Sequence, residues 1–146
     1  MNFIIKNFND LTKLELYKIL QLRAEVFVVE QDCVYQDVDG KDEKALHIFG
    51  FKNKEIVAYT RIFKPGDYFK KSSIGRVVVK ENQRKFGYGH DLIKVSIKAI
   101  QEFYNETEII ISAQVYLKKF YETHQFIQVG NSYLEDGIPH IRMSFT

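Results

Sequence analysis

The sequence predicts an α/β or α+β sandwich, a mixed sheet covered by helices, from three observations. Strand-like and helix-like segments alternate through the middle of the chain. Hairpin signals stand on either side of that alternation, and 146 residues suit one hydrophobic core with little room for a second. The expected order is βαβββαβαββ in a single domain, residues 1–146.

Each element has a local reason. Phe3, Ile4 and Ile5 suggest a short first strand. Thr12-Lys13-Leu14-Glu15 then has the spacing of a capping box and opens a helix whose buried face carries Leu16, Ile19, Leu20 and Phe27. From Gln31 to Lys44 the chain turns polar and irregular, with Asp32, Asp37, Asp39 and Gly40, which reads as one long loop of a kind that often carries function. Ala45 to Lys52 and Glu55 to Lys64 are rich in Ile, Val, Phe and Tyr around Asn53-Lys54, an antiparallel hairpin. After the break at Pro65-Gly66-Asp67, Ile74 to Val79 forms a strand that leads into a glycine-bearing loop. Leu92, Ile93, Ser96, Ile97 and Ile100 recur at helical spacing, so a helix follows. Glu108 to Gln114, with three consecutive isoleucines, reads as a strand buried on both faces. Tyr116 to Thr123 makes a short helix, and Phe126 to Leu134 and Ile138 to Phe145 form a hairpin around Glu135-Asp136-Gly137.

Composition excludes several classes. Hydrophobic residues are 45% and charged residues 27% of the chain, a balance that suits a globular protein. Cys33 is the only cysteine, so no internal disulfide and no cysteine cluster for a metal can form, and a reducing, cytoplasmic setting is expected. His47, His90 and His124 lack metal-ligand spacing, and no metal is expected. No apolar run approaches the roughly 20 residues that cross a bilayer, so neither anchor nor signal peptide is expected. A formal charge of +2 gives no reason to expect a nucleic-acid partner.

The loop Arg84-Lys85-Phe86-Gly87-Tyr88-Gly89 lies between a strand and a helix. Gly87 and Gly89 allow close backbone approach, the first N–H groups of a helix lack intrahelical partners, and the helix dipole adds partial positive charge there. Such a site suits a phosphate or pyrophosphate, with Arg84 and Lys85 at its mouth, although the same glycines also serve a plain tight turn. His90-Asp91 after Gly89 excludes a nucleotide-triphosphate P-loop, and Leu92 excludes the third glycine of a dinucleotide fingerprint.

Val77-Val78-Val79, then Arg84-x-x-Gly87-x-Gly89 and an amphipathic helix, resembles the cofactor motif of the GNAT N-acetyltransferase superfamily. Phe120-Tyr121-x-x-x-x-Phe126 resembles its later segment, with Gln125 where that family commonly has glycine. Leu22-Arg23-x-Glu25-Val26-Phe27-Val28-Val29-Glu30-Gln31, Tyr35-Gln36-Asp37-x-Asp39-Gly40, Ile74-Gly75-Arg76-Val77 and Glu135-Asp136-Gly137-Ile138-Pro139-His140 resemble the ElaA-like branch. The resemblance implies a mostly antiparallel central sheet and acetyl-coenzyme A as cosubstrate. The acetyl donor would lie in a wedge between Ile74 to Val79 and Ile109 to Ala113, with its pyrophosphate on residues 84–89 and its pantetheine arm on Val77, Val78 and Val79. An amine acceptor, either a small molecule or a protein amine, would attack directly.

Within that resemblance Tyr121 is the general acid toward the coenzyme A thiolate, although spacing alone favours a packed core tyrosine. Glu30 and His140 are alternative bases. Glu30 closes the first helix beside the acidic loop and, with Asp37 and Asp39, would draw in a cationic amine, while His140 carries the side chain that titrates nearest neutral pH. Solvated carboxylates and a structural histidine are the plainer readings. Arg23 and Arg76 are expected to be partly buried and to need carboxylate partners, in the protein (Glu30 or Asp37) or in the substrate. Cys33 has no neighbouring histidine and is not expected to act as a nucleophile. Two other functions stay open: a catalytically silent acetyl-coenzyme A sensor, and an acyltransferase like the acyl-homoserine-lactone synthases. The exposed edge of the C-terminal hairpin suggests a homodimer.

Overall fold

The computed structural model describes residues 1–146. The strands are β1 (Phe3–Asn7), β2 (Leu46–Lys52), β3 (Glu55–Phe63), β4 (Ser73–Val79), β5 (Ile109–Gln114), β6 (Ile127–Glu135) and β7 (Ile138–Phe145). The helices are α1 (Lys13–Arg23), α2 (Tyr88–Tyr104) and α3 (Lys118–Glu122). The order along the chain is therefore βαβββαβαββ, as expected.

The sheet is not continuous. β1-β2-β3-β4 form one antiparallel sheet and β5-β7-β6 another. They meet at a single parallel bridge between Ser72 and Ile109, where Ile110 N–H donates to the Ser72 carbonyl at 2.8 Å. Beyond that point β4 and β5 diverge, which opens a wedge between them.

Local chemistry explains the frame. Thr12 Oγ1 accepts from Glu15 N–H at 3.0 Å while Glu15 Oε1 accepts from Thr12 N–H at 2.9 Å, a complete capping box. Asn53 and Lys54, and likewise Asp136 and Gly137, have positive φ, the geometry of a tight hairpin turn that matches strand twist. α2 buries Leu92, Ile93, Ala99 and Ile100 against β3, β4, β5 and β7, with each large aliphatic worth roughly 1.5–3 kcal/mol. α1 covers the opposite face with Ile19 and Leu22 against Phe49, Tyr59 and Val78.

Two sequence expectations shift in detail. α1 passes into a π-helical turn over Ala24–Glu30, so the 3.6-residue periodicity ends at Arg23 and the fully buried positions become Ile19, Leu22, Arg23 and Val26. In β5, Ile109 and Ile111 are buried but Ile110 is only half-buried, because its face looks into the wedge side of the sheet. β6 is an edge strand that leaves Ile127, Val129 and Leu134 exposed. No helix is long and apolar enough to cross a membrane.

Candidate active site

β4 carries one extra residue opposite β3. Tyr59 pairs with Val78 and Arg61 with Gly75, so Arg76 and Val77 bulge across from Thr60, whose hydroxyl donates to the Gly75 carbonyl at 2.8 Å. Arg76 takes the left-handed conformation at φ 51°. A bulge bends its strand and leaves backbone groups outside the ladder. Here that happens on the lip of the wedge.

Two cavities occupy the wedge. One, of about 380 Å³, is lined by Val77, Val78, Val79, Arg84, Gly87, Gly89, His90, Tyr116 and Phe120. The other, of about 100 Å³, is lined by Tyr35, Arg76, Ser112, Glu135, Ile138 and His140. Phe27, Gln31, Val77, Gln114, Leu117 and Tyr121 line both and so form the junction. Gln31 and Gln114 exchange amide hydrogen bonds of 3.3 and 3.4 Å across it.

The larger cavity meets the start of α2. Gly87 caps the helix at φ 76°, a conformation that glycine adopts without a Cβ penalty, and its carbonyl accepts from Asp91 N–H at 3.3 Å. The N–H groups of Tyr88, Gly89 and His90 then have no partner within the helix. Lys85, Phe86 and Tyr88 do not line this cavity with their side chains. Phe86 is exposed with Lys52 Nζ 3.8 Å from its ring centre, and Tyr88 packs toward the core.

Arg84 is already engaged. Its Nη1 and Nη2 donate to the two Glu30 carboxylate oxygens at 2.6 and 2.8 Å, and its Nε donates to the Val79 carbonyl at 3.0 Å. This corrects the expectation for Glu30, which lines the larger cavity and not the smaller one, with both oxygens held by a permanent cation. It is poorly placed to take a proton from an amine.

Tyr121 is positioned by a helix ending. Phe126 N–H donates to the Tyr121 carbonyl at 3.2 Å and Gln125 N–H to the Glu122 carbonyl at 3.0 Å, the two bonds of a Schellman motif. The motif requires a left-handed residue, and Gln125 supplies it at φ 71°, which is the physical reason that glycine suits this position. The accompanying apolar contact is the Tyr121 ring against Phe126, with centroids 5.8 Å apart. Tyr121 is 6% exposed, and burial, with a smaller contribution from Tyr116, pushes its phenol well above the ordinary range. The group stays protonated at neutral pH at the junction of the two cavities.

His140 pairs with Gln114 and Tyr133 across the sheet. Its Nδ1 lies 2.7 Å from the Ile138 carbonyl, which only accepts, so Nδ1 carries the hydrogen and neutral His140 presents a bare Nε2. That Nε2 is 3.4 Å from Glu135 Oε2. Glu135 Oε1 in turn accepts from Ser112 Oγ at 3.3 Å.

The acidic loop does not offer its carboxylates to an amine. Asp37 binds Arg23 Nε at 2.8 Å and Tyr35 Oη at 3.1 Å, Asp42 Oδ1 accepts from both Arg23 and Arg61, and Asp39 accepts from Arg61 at 2.6 and 2.9 Å. Asp37 is 7% exposed, so its expected role in attracting substrate is replaced by a structural one. Although burial opposes ionisation, Arg61 holds Asp39 well below the ordinary carboxylate range, and Arg23 lowers Asp42. Cys33 is buried and its thiol donates to the Asp136 carbonyl at 3.3 Å. No three His, Cys, Asp or Glu side chains converge as metal ligands.

The acetyltransferase (GNAT) domain profile matches residues 10–146. This chain belongs to the GNAT acetyltransferase family. It is an acyltransferase. Protein ElaA of Escherichia coli is 43% identical over 138 residues, which is 93% of this chain and 90% of ElaA. An acyl-CoA N-acyltransferase from Pseudomonas aeruginosa superposes with a TM-score of 0.93 at 39% identity, covering 100% of both chains. An aminoglycoside 6'-N-acetyltransferase complexed with coenzyme A shares the fold at TM-score 0.72 and 15% identity, covering 97% of this chain and 95% of its own.

Several groups at this GNAT site carry no signal in sequence. Glu135 stands in the hairpin turn and in a motif that resembles the ElaA-like branch, but its contact with His140 depends on the hairpin register. Arg61, Asp42, His47 and Tyr59 complete the ion-pair network, with His47 Nδ1 2.7 Å from Tyr59 Oη and Nε2 2.9 Å from the Asp42 carbonyl. An arginine inside an apolar strand, as in Glu55–Phe63, was the available clue to Arg61. His90 and His124, 34 residues apart, meet at 2.8 Å beside the larger cavity.

Proposed function

We propose that the protein transfers an acetyl group from acetyl-coenzyme A directly to a primary amine, with Tyr121 at the point of exchange. The observation that carries this reading is that Tyr121 stands where the two cavities join. The free N–H groups at the start of α2 suit the pyrophosphate, and backbone groups of Val77 at the bulge and of Val79 beyond it suit the pantetheine amides. The smaller cavity then admits the amine to the other side of the thioester.

In this reading His140 Nε2 takes a proton from the ammonium, with Glu135 stabilising the imidazolium. The amine nitrogen forms a bond to the thioester carbon, the C–S bond breaks, and the electron pair leaves on sulfur. Tyr121 donates its hydroxyl hydrogen to that sulfur. In becoming the amide N–H the ammonium gives up two protons, one to His140 before attack and one after it; one restores the Tyr121 phenol and the other leaves to solvent. The products are an amide and coenzyme A thiol. A buried phenol is a weak acid, but the same burial raises the sulfur's affinity for a proton, so donor and acceptor stay matched. Direct attack is favoured over an acyl-enzyme because Cys33, whose thiol is committed to the Asp136 carbonyl, has no basic side chain hydrogen-bonded to it.

The test is release of coenzyme A thiol from acetyl-coenzyme A in the presence of amines, for wild type and His140→Gln. Thiol release that falls in His140→Gln mainly from neutral pH up to the amine's own pKa, where a neutral imidazole can take a proton that the ammonium does not yet lose unaided, supports the reading. Tight binding of acetyl-coenzyme A without thiol release would favour a sensor, and consumption of S-adenosylmethionine would favour a lactone synthase.

A further inference from the structure

We infer that the acceptor is a small molecule with a carboxylate beside its amine, an amino-acid-like zwitterion; this rests on the acetyl-transfer reading and specifies its substrate. The smaller cavity has a donor wall on β4 and an acceptor wall at the β6–β7 turn.

The donor wall is Arg76. Its left-handed φ of 51° costs an L-residue about 1–2 kcal/mol, yet the position holds an arginine directly after Gly75, a residue that takes such a conformation freely. Its guanidinium is incompletely used. Nη2 donates to the Asp37 carbonyl at 3.1 Å and lies 3.5 Å from Asp39, and Nε is 2.8 Å from Asp37 Oδ1 but outside hydrogen-bonding angle. Nη1 makes no hydrogen bond within the protein. Arg23 and Arg61 hold the carboxylates of Asp37, Asp39 and Asp42 through hydrogen bonds of 2.6–2.9 Å, whereas Arg76 meets Asp37 at 2.8 Å and Asp39 at 3.5 Å without a hydrogen bond to either carboxylate. The Tyr35 ring centre lies 5.7 Å from its Cζ, within cation–π range.

The acceptor wall is Glu135 with the bare Nε2 of His140. Both groups favour a positive charge, which is the state of the amine before it gives up its proton. A simple monoamine would satisfy this wall and leave the Nη1 donors of Arg76 without a partner. A molecule with an adjacent carboxylate meets both walls at once, and sites built to bind such a group reject analogues that lack it. The small size of the cavity, about 100 Å³, suits such a molecule.

The experiment compares each of the common amino acids with its methyl ester as acceptor, following thiol release from acetyl-coenzyme A by the whole protein. The ester keeps the amine and removes only the negative charge. For at least one amino acid, kcat/KM is expected to exceed that of its ester about tenfold or more. The excess should fall toward one in Arg76→Gly, chiefly through a higher KM for the acid. Arg76→Gly relieves the left-handed backbone. Arg76→Lys, which keeps the charge without the planar fork, is the second variant and should also reduce the ratio. Esters or monoamines turned over as well as acids would overturn the zwitterion assignment and leave acetyl transfer standing. Absence of thiol release from every member of the panel, with coenzyme A still bound, would overturn both.

Discussion

Tyr121→Phe removes one hydroxyl and leaves the ring that packs on Phe126 and Phe120. That hydroxyl is not hydrogen-bonded within the protein, and burial is the main cause of its raised pKa. The folded state therefore loses no hydrogen bond within the protein, and thermal stability should stay close to wild type. The chemistry should suffer instead. A hydrogen bond to a charged group is worth about 1.5–3 kcal/mol, and about 1.4 kcal/mol is a factor of ten, so kcat should fall roughly 10- to 100-fold. Affinity for coenzyme A, which the proposed site assigns to the start of α2 and the β4 backbone, should hardly change. The assay is thiol release at saturating acetyl-coenzyme A and amine, with coenzyme A binding measured by calorimetry. Unchanged kcat with a folded variant would remove Tyr121 from the chemistry and return it to a packing role.

Two further outcomes concern the frame that holds the site. Gln125→Gly should stabilise the protein by about 0.5–1 kcal/mol, seen as a higher urea midpoint, because glycine takes φ 71° without strain; a lower midpoint would contradict the Schellman account. Burial, aided by the charges of Arg23 and Arg61, holds His47 below the ordinary imidazole value, so the folded state binds its proton less readily than the unfolded chain. Its stabilising contribution is thus complete above about pH 6.5 and is lost as pH falls below that, at no more than about 1.4 kcal/mol per pH unit. His47→Gln should flatten stability between pH 6.5 and 5, measured by denaturant unfolding, and an unchanged slope would refute this.

Much of the fold was legible locally. The Thr12–Glu15 capping box, the Asp136-Gly137 turn and the helical spacing of Leu92, Ile93, Ser96 and Ile100 depend on groups within a few residues of one another, and their geometry is already written in the spacing. Gly87 was legible for the same reason, since the strand and helix on either side require a left-handed turn. Tyr121 was legible only through resemblance, because spacing alone cannot tell a packed phenol from one that stands at a cavity junction.

The charged residues were decided by tertiary structure. Glu30 stands 54 residues from Arg84, and Asp42 stands 19 from Arg61, so nothing local selects these partners. A buried cation must find an anion, but which of the many carboxylates reaches it depends on how loop, strand and helix dock. Docking also set the separation of the walls, since β4 and β5 part after the Ser72–Ile109 bridge. The sequence by itself determined the elements, their order and the residues able to form a coenzyme A site. The assembled chain decided that Glu30 and Asp37 serve the protein's own arginines, and that His140, Glu135 and Arg76 are left around the smaller cavity.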